Sequence, residues 1–424
     1  EILFITIFFL LPINLIDKNY YFKLFKFNLI DKVSIVLIIL LNILFLFSIL
    51  NINIKYFLYF YIFILFYLTV LNYKKINLKN IKINYFFIIL LLFTFLLSID
   101  LAEQIYFSWD AKSNWFFKTL NFYQNQNIEN LKFFNNFDYP HLGPYVWSFF
   151  WKFPHGKFEY LGRIFYIFIY LLSILSVSNC LKLDDLKKVI FTILLISLTY
   201  NYDLFSGLQD VLIFSLILLF SRFTYFIYEA KNKSYNFLLI LILIAIFNLL
   251  CWTKNEGVIY GFFLFLALFF TLNFSTLEKK YIVIGTLFVL IMRILLFKYY
   301  DTELNSEYFQ MSETISFDTV LLIEKFKTIT FYCLIYISQN PIYFITIPIL
   351  IYILYKYPKK NIINFIVFFL VLNFTFIYLT YMFKMNDVEL LIRASMKRVI
   401  FQTSGFYFLI VIIYINDYVN LKKR

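Results

Sequence analysis

The stretch VSIVLIILLNILFLFSIL at positions 33–50 decides the fold class of this chain. It contains no charged residue, and a helix needs about 20 apolar residues to cross a bilayer. Runs at 85–98 and 362–381 are equally free of charge, the whole sequence is 62% hydrophobic, and its mean hydropathy is +0.79. Soluble domains are far less apolar. We therefore predict an all-α polytopic membrane protein whose backbone polar groups are paired inside helices.

Apolar runs of this kind recur along the sequence and predict a bundle of about 13 transmembrane helices. The expected spans are 1–16, 33–50, 54–71, 84–100, 159–180, 188–202, 208–228, 235–251, 256–272, 281–299, 341–356, 361–382 and 399–416. Residues 101–158 are the long polar interruption, and they predict a helical first outer loop. It separates the N-terminal spans in 1–100 from those in 159–424. We find no internal repeat, so 1–424 is treated as a single membrane domain.

Lysine clusters between the predicted spans set the expected orientation. If the spans alternate, one side carries all of these clusters: Lys18, Lys23, Lys26, Lys32, Lys74, Lys75, Lys79, Lys82, Lys182, Lys187, Lys188, Lys231, Lys233, Lys279, Lys280, Lys356, Lys359, Lys360 and the tail 422–424. The positive-inside rule makes that side cytoplasmic. The outer side then receives 101–158, 203–207, 252–255, 300–340 and 383–398. The apolar run at 329–338 is short and is left open as a span or a re-entrant segment.

The net charge of +13 is explained by these lysines, and the sequence contains no nucleic-acid-binding motif. Membrane lipids are therefore expected as partners, and nucleic acid is not. The three cysteines, Cys180, Cys251 and Cys333, stand alone in or beside apolar runs, which favours buried structural thiols. No ligand spacing demands a metal, although a divalent ion stays open as a cofactor.

The outer loop begins with a motif that has two interpretations. In Ser108-Trp109-Asp110-Ala111, followed by Asn114 and Lys118, a helix would place Asp110, Asn114 and Lys118 on one face. Asp110 is then a general base at the mouth of a cleft. Alternatively, Ser108 or Asp110 caps the helix and the aromatic residues anchor it at the membrane interface.

Two further polar motifs follow on the predicted outer side. Asp138-Tyr139-Pro140-His141 forms a rigid turn, in which His141 either binds a phosphate or sugar or is an ordinary satisfied polar residue. Asp210 lies near the start of the seventh predicted span, at 208–228. A carboxylate at the membrane boundary needs a partner, so Asp210 is either functional or a helix cap.

Cations occur on this outer side, where the charge rule does not expect them. Lys254-Asn255-Glu256 fills a very short connection between two spans, and its lysine either holds a lipid phosphate or pairs locally with Glu256. Arg393, Lys397 and Arg398 precede the last span, and they indicate a phosphate site. The alternative is that their side chains reach the lipid headgroups.

Taken together, these motifs resemble the GT-C superfamily of membrane glycosyltransferases, and most closely the bacterial branch related to protein O-mannosyltransferases and lipid A aminoarabinose transferases. The resemblance covers about residues 100–410. The matching motifs occur in the family's order: Trp109-Asp110-Ala111 with Trp115 and Lys118, Asp138-Tyr139-Pro140 with Pro144, Gly162-Arg163, Gly207 to Asp210, Thr253-Lys254-Asn255-Glu256-Gly257, and Arg398. Two features depart from the family: several spans precede the first motif, and no large soluble C-terminal domain follows the spans in this sequence.

The resemblance implies a reaction at the outer face of a bacterial inner (plasma) membrane. A sugar would pass from a polyprenyl-phosphate donor to an acceptor hydroxyl of a glycan, lipid or protein. Asp110 would act as the base, and Asp210 as a second acid or a positioning group. Lys254, Arg393 and Arg398 would stabilise the departing phosphate. The remaining predicted substrate-binding residues are Trp109, Lys118, Tyr139, His141, Asn255 and Glu256.

Two other functional classes remain open. A polysaccharide polymerase or ligase of another membrane fold would also use a polyprenyl donor, but such proteins usually carry their large outer loop late in the chain. A lipid or polysaccharide transporter or flippase predicts inverted repeats and charges at the bilayer midplane. In this sequence the polar clusters gather at one face instead.

Overall fold

The computed structural model describes residues 1–16, 27–72, 85–103, 105–134, 136–153, 157–229, 236–301, 319–356, 360–383 and 388–422. Every regular element in these ranges is a helix, and they contain no strand, so the predicted all-α class is confirmed. Some residues used for the orientation lie outside the described ranges. They include the lysines at 18, 23, 26, 74, 75, 79, 82, 231, 233 and 359.

Seventeen α-helices are described, counted within those ranges. They are α1 Ile2–Ile16, α2 Leu29–Ile49, α3 Ile54–Asn72, α4 Tyr85–Glu103, α5 Phe116–Tyr123, α6 Leu142–Lys152, α7 Tyr160–Ser178, α8 Asp185–Thr199, α9 Asp210–Glu229, α10 Asn236–Thr253, α11 Asn255–Thr271, α12 Thr276–Tyr299, α13 Thr319–Gln339, α14 Pro341–Lys356, α15 Asn361–Met382, α16 Val388–Ser404 and α17 Phe408–Lys422.

Nine helices among the described residues are long and apolar enough to cross a membrane, or up to ten if one bent pair counts as a single span. The predicted number of about 13 is therefore not confirmed. The difference comes mainly from short helices. The apolar helices at Ile2–Ile13 and Asn255–Thr271 are below the usual length, and α8 has 15 residues. At 1.5 Å per residue, 15 residues extend only about 22 Å, against about 30 Å of hydrocarbon.

The bent pair resolves the local structure around the apolar run at 329–338. This run belongs to the longer helix α13, which meets α14 at an angle of 95°. Asn340 separates the two helices, and Pro341 begins the second. Because proline disfavours a helical conformation in the residue before it, a continuous helix is interrupted at Asn340. The segment is thus half of an elbow, which has the geometry of a broken span or of a re-entrant loop.

Helices α7 and α9 form the centre of the bundle. Their membrane-length windows are 94% and 89% buried, whereas those of α3 and α12 are 17% and 22% buried. Helix α9 packs on α7, α10 and α16, so it connects the middle of the chain to its last third. The loop of residues 105–153 covers one end of these central helices. We call that end the loop face.

The opposite end of the bundle is held by a buried ion pair that the sequence did not predict. Arg222 donates to both carboxylate oxygens of Asp31, at 3.0 and 2.7 Å, and to the sulfur of Cys180 at 3.2 Å. Ser176 also donates to Asp31. Arg222 is on α9 and Asp31 on α2, so the pair joins two helices that are far apart in sequence. Cys180 is buried and carries no disulfide, as predicted for a structural thiol.

Candidate functional site

A wide helical turn near the start of the loop at 105–153 separates Asp110 from the two residues that were predicted to share its face. Residues Ala111–Trp115 form a π-helix, which continues as α5. Asn114 Oδ1 accepts a hydrogen bond from the Asn136 side chain, and Lys118 Nζ donates to the backbone carbonyl of the same Asn136. Asp110 faces the bundle instead. The predicted common face therefore holds for Asn114 and Lys118 only, because the π-turn changes the angular spacing. Such turns are frequent at functional sites.

Lys118 and Tyr139 stabilise the loop from within. Lys118 Nζ donates to the carbonyl oxygens of Asn136 and Tyr139, at 2.8 and 2.7 Å. The Tyr139 ring packs edge-on against Trp115. Burial lowers the pKa of Lys118 to about 7, against the opposing charge of Asp138. Lys118 is therefore engaged within the loop, by hydrogen bonds to two carbonyl oxygens.

His141 anchors the same loop to the helix bundle. It is buried, and its Nε2 lies 2.9 Å from Ser48 Oγ at the end of α2. Its ring packs against Phe45, Phe122 and Trp252. Burial lowers the pKa of His141 to about 3, with a smaller effect from nearby cations, so the imidazole is neutral at physiological pH. This environment matches the satisfied polar residue of the alternative interpretation.

Arg163 brings the start of the loop next to the segment that precedes α9. Its guanidinium donates to the carbonyl oxygens of Tyr106 at 3.0 Å and Phe205 at 2.9 Å. Glu159 balances its charge, with Oε1 3.0 Å from Arg163 Nε. One further backbone hydrogen bond runs from Ser108 N to Ser206 O, at 3.1 Å. The two segments are therefore fixed side by side, just before Asp110 and Asp210 respectively.

Gly207 makes this close approach possible. It adopts φ +90°, a conformation that residues with a side chain rarely take. A Cβ at this position would lie 2.9 Å from Ala111 Cβ and 2.9 Å from the ring of Trp147. The glycine therefore meets two requirements at once, a backbone turn and the absence of a side chain.

A cavity of about 790 Å³ opens between these segments and the last third of the chain. Its walls come from the start of the loop, the end of α8, the start of α9, the elbow between α13 and α14, and α16. Most of the lining surface is apolar, although half of the lining residues carry polar or charged side chains. The lining residues are Ser108, Trp109, Asp110, Ser197, Leu198, Thr199, Tyr200, Asn201, Leu204, Leu208, Asp210, Val211, Tyr336, Gln339, Asn340, Pro341, Ala394, Lys397, Arg398 and Phe401. Binding sites for small molecules and lipids have this size and mixture.

Asp110 and Arg398 form an ion pair in the cavity wall, although 288 positions separate them in sequence. Both side chains remain partly exposed, at 26% and 32%. Trp109, beside Asp110, is 79% exposed and also lines the cavity. The structure therefore brings together three predicted site residues, from the first outer loop and from α16.

Asp210 lies deeper in the same cavity and is held on one side. Its Oδ1 accepts hydrogen bonds from Lys254 Nζ, at 3.1 Å, and from Gln402. Lys254 also pairs with Glu256, at 3.2 Å. Asp210 Oδ2 is buried and has no hydrogen-bond partner among the described residues. The predicted local pair of Lys254 and Glu256 therefore exists, but Lys254 binds the more distant Asp210 as well.

Two predicted substrate-binding residues are engaged away from the cavity. Asn255 Oδ1 accepts a hydrogen bond from Arg293 at 2.6 Å. Arg393 is exposed on α16, where its guanidinium pairs with Glu389 and its Nε donates to the hydroxyl of Tyr332 at 3.0 Å. Neither residue lines the cavity, and the same holds for Lys118, Tyr139 and His141.

One residue of this site, Gln402, was not selected from the sequence, and it fixes Asp210. Arg163 and Lys397 were named from the sequence, in the Gly162-Arg163 motif and in the cation cluster before the last span. The structure shows that Arg163 fixes the loop and that Lys397 lines the cavity. Gln402 is a fully buried amide near the end of α16, and such a residue needs a polar partner. That rule could have identified it. The clamp made by Arg163 depends on two backbone carbonyls, which leave no trace in the sequence.

A divalent metal, which the sequence left open, does not fit these residues. Divalent ions are held mainly by carboxylate oxygens. Here Asp110 pairs with Arg398, and Asp210 Oδ1 accepts hydrogen bonds from Lys254 and Gln402. Within the described residues, no group of three or more His, Cys, Asp and Glu side chains could hold a metal ion. No chemical step is therefore assigned to a metal.

The polar residues that come together on the loop face thus combine a carboxylate, a buried Asp–Lys pair and an apolar cavity wall. This arrangement can bind an amphiphilic molecule and can accept a proton beside a cation. Comparison of the chain with family models, with curated proteins and with solved structures finds no match.

Proposed function

We propose that the protein is a membrane glycosyltransferase of the GT-C type, which moves a sugar from a polyprenyl-phosphate donor to an acceptor hydroxyl. The single observation that carries this proposal is the Asp110–Arg398 pair in the wall of a largely apolar cavity. A carboxylate that can act as a base and a cation that can attract a phosphate then face the same cavity. We place the reaction on the outer side of a bacterial inner membrane, which is the side predicted from the lysine clusters.

The chemistry of the cavity supports a lipid-linked donor. Leu198, Leu204 and Phe401 provide surface for a hydrocarbon chain, while Lys397 and Arg398 provide positive charge. A soluble nucleotide sugar would not need the apolar part of this wall. The elbow between α13 and α14 forms another part of the wall. A bent pair of this type is a broken span or a re-entrant loop, which membrane proteins tolerate where it is buried in protein or lines a cavity.

Asp110 is proposed to act on the acceptor. Its carboxylate takes the proton of the acceptor hydroxyl, and the hydroxyl oxygen forms the new bond to the anomeric carbon. The bond between the anomeric carbon and the phosphate oxygen breaks, and its electron pair leaves with the lipid phosphate. Cations at the cavity wall stabilise the charge that develops on this leaving group. The acceptor is a glycan, a lipid or a protein.

Asp210 and Lys254 are proposed to act as a unit behind the reacting groups. Lys254 is buried and paired with two carboxylates, so it acts through Asp210 rather than by binding the phosphate directly. A lysine at this distance favours the ionised form of Asp210. Ionised Asp210 is a hydrogen-bond acceptor only, and its unpaired Oδ2 suits a sugar hydroxyl better than the role of a second acid.

The experiment that tests the proposed reaction compares transfer with transport. Purified protein in liposomes is given a panel of short-chain polyprenyl-phosphate hexoses and pentoses together with a hydroxyl acceptor. A glycosyltransferase releases polyprenyl phosphate and forms glycosylated acceptor with at least one donor. Movement of intact donor across the bilayer, without release of polyprenyl phosphate, would instead support the transporter class and would reject the proposal.

A further inference from the structure

Lys397 and Arg398 are neighbours in sequence and both line the cavity, but their side chains have different partners. Arg398 pairs with Asp110, and the carboxylates of Asp210 and Glu256 also attract its positive charge. Lys397 is exposed and has no hydrogen bond or ion pair to the described part of the chain. Consecutive helical residues point about 100° apart, so the two side chains reach different parts of the wall. Among the cations that line the cavity in the described ranges, Lys397 is therefore the one without a partner.

The other cation of this helix is committed elsewhere. Arg393 precedes Lys397 by one helical turn, and its guanidinium pairs with Glu389 and the hydroxyl of Tyr332. It does not line the cavity. Helix α16 thus presents three cations with three different tasks, and only Lys397 combines a position in the cavity with an unoccupied charge.

We propose that Lys397 is the residue that binds the phosphate of the lipid ligand, and that Arg398 positions Asp110. This inference rests on the proposed function, and it narrows the phosphate site that the sequence predicted at Arg393, Lys397 and Arg398 to Lys397 alone. Asp110 pairs with Arg398, so a phosphate at Arg398 would share the guanidinium with a carboxylate of this chain and be repelled by it. A phosphate at Lys397 shares its cation with no carboxylate of the described residues.

The chemistry of the two side chains agrees with this division. A guanidinium is planar and rigid, which suits the fixed orientation of a neighbouring carboxylate. An ammonium on a flexible stem is a mobile point charge with three donors, and it can follow a phosphate whose lipid tail lies among apolar residues. Leu198, Leu204 and Phe401 supply that apolar surface in the same cavity as Lys397.

The test measures binding and does not depend on sugar transfer. Purified protein in a non-ionic detergent is titrated with dodecyl phosphate, and with dodecanol as an uncharged probe of the same chain length. Inorganic phosphate is a third arm, which separates a lipid phosphate from the free ion. The variants are Lys397→Gln and Lys397→Arg, with Arg393→Gln as a matched control on the same helix. Since Lys397 is exposed, all three variants are expected to fold.

We expect Lys397→Gln to weaken dodecyl phosphate binding about tenfold, as for the loss of one ionic contact. Lys397→Arg should stay within about threefold of wild type, because the charge is retained. Arg393→Gln should stay within about twofold, and dodecanol should bind all variants alike. Inorganic phosphate should bind far more weakly than dodecyl phosphate, because it lacks the tail. Equal losses in Lys397→Gln and Arg393→Gln, or wild-type affinity in Lys397→Gln, would overturn the assignment.

The result separates this inference from the proposed function. If Lys397→Gln loses binding while no lipid-linked sugar is consumed by the wild type, the phosphate site stands and the transferase proposal fails. If sugar is transferred while Lys397→Gln binds dodecyl phosphate normally, the transferase stands and the assignment of Lys397 fails.

Discussion

Lys254 Nζ lies 3.1 Å from Asp210 Oδ1, and both side chains are buried on the loop face. The two residues begin or precede different helices, α9 and α11, so their contact joins helices that are not consecutive. Glu256 completes the set as a second anion beside the lysine. The pair connects stability to the candidate site, because it holds the carboxylate that forms the inner wall of the cavity.

We expect Lys254→Met to destabilise the protein strongly. Removal of one partner from a buried ion pair typically costs about 3–5 kcal/mol, because the other charge stays buried without compensation. The midpoint of thermal unfolding in detergent should fall by several degrees. Lys187→Met, at an exposed pair between Lys187 and Asp184, is the control and should leave the midpoint almost unchanged. A midpoint equal to wild type in Lys254→Met would show that the pair is not formed.

Gly207→Ala should separate the segment before α9 from the loop that carries Asp110. The new Cβ meets Ala111 and Trp147 at 2.9 Å, and φ +90° is strained for alanine. Strain of this kind costs about 1–3 kcal/mol, and here it also pushes the outer loop away from α9. The readout is the rate of proteolysis of the loop in detergent, which should become faster. Unchanged proteolysis together with unchanged sugar transfer would contradict the proposed close approach.

The pH dependence of stability should report the environment of His141. Burial lowers the folded-state pKa of His141 to about 3 from an ordinary 6.5. Between these values the unfolded chain binds the extra proton, so stability is complete above pH 6.5 and is lost as pH falls toward 3. The free energy of unfolding changes by at most about 1.4 kcal/mol per pH unit from this one group. In His141→Gln, the unfolding midpoint should vary less between pH 6.5 and 4 than in wild type. An identical slope would place His141 in water.

Lys118 should make stability depend on pH at higher pH values than His141 does. Burial lowers its folded-state pKa to about 7 from 10.5. The unfolded chain therefore binds more protons between pH 7 and 10.5, and stability should rise with pH across this range. Lys118→Met removes the titrating group, so the rise should disappear, although overall stability falls because two carbonyls lose their donor. The check is the unfolding midpoint of wild type and of Lys118→Met at pH 7.5, 8.5 and 9.5. If the midpoint of Lys118→Met still rises with pH as in wild type, Lys118 is not the group responsible.

The fold class and the clustering of polar residues on one face could be predicted from the sequence. Uncharged runs such as 33–50 indicate membrane helices directly. Their alternation places Asp110, Asp210, Lys254 and Arg398 at one end of the bundle, and the structure brings these four together. The number of spans was less predictable, because an apolar run such as 188–202 has the composition of a span without its length.

The detailed site could not be predicted, for two physical reasons. Contacts to backbone atoms, such as those of Arg163 with Tyr106 and Phe205, depend on geometry rather than on residue type. The π-turn after Asp110 changes the face that each loop residue occupies, and a spacing rule based on 3.6 residues per turn does not include it. Lys118 and His141, which the resemblance implied as substrate-binding residues, make contacts that hold the loop that carries Asp110.

The central claim is that Asp110 is the base of a sugar-transfer reaction at the cavity. Its most direct test is the rate of polyprenyl phosphate release by purified Asp110→Asn, with a donor that the wild type consumes. General base catalysis contributes about 10²- to 10⁴-fold, so we predict a loss of at least about 100-fold. Asp185→Asn, at an exposed carboxylate on the opposite end of the bundle, should retain the wild-type rate. A wild-type rate in folded Asp110→Asn would contradict the account.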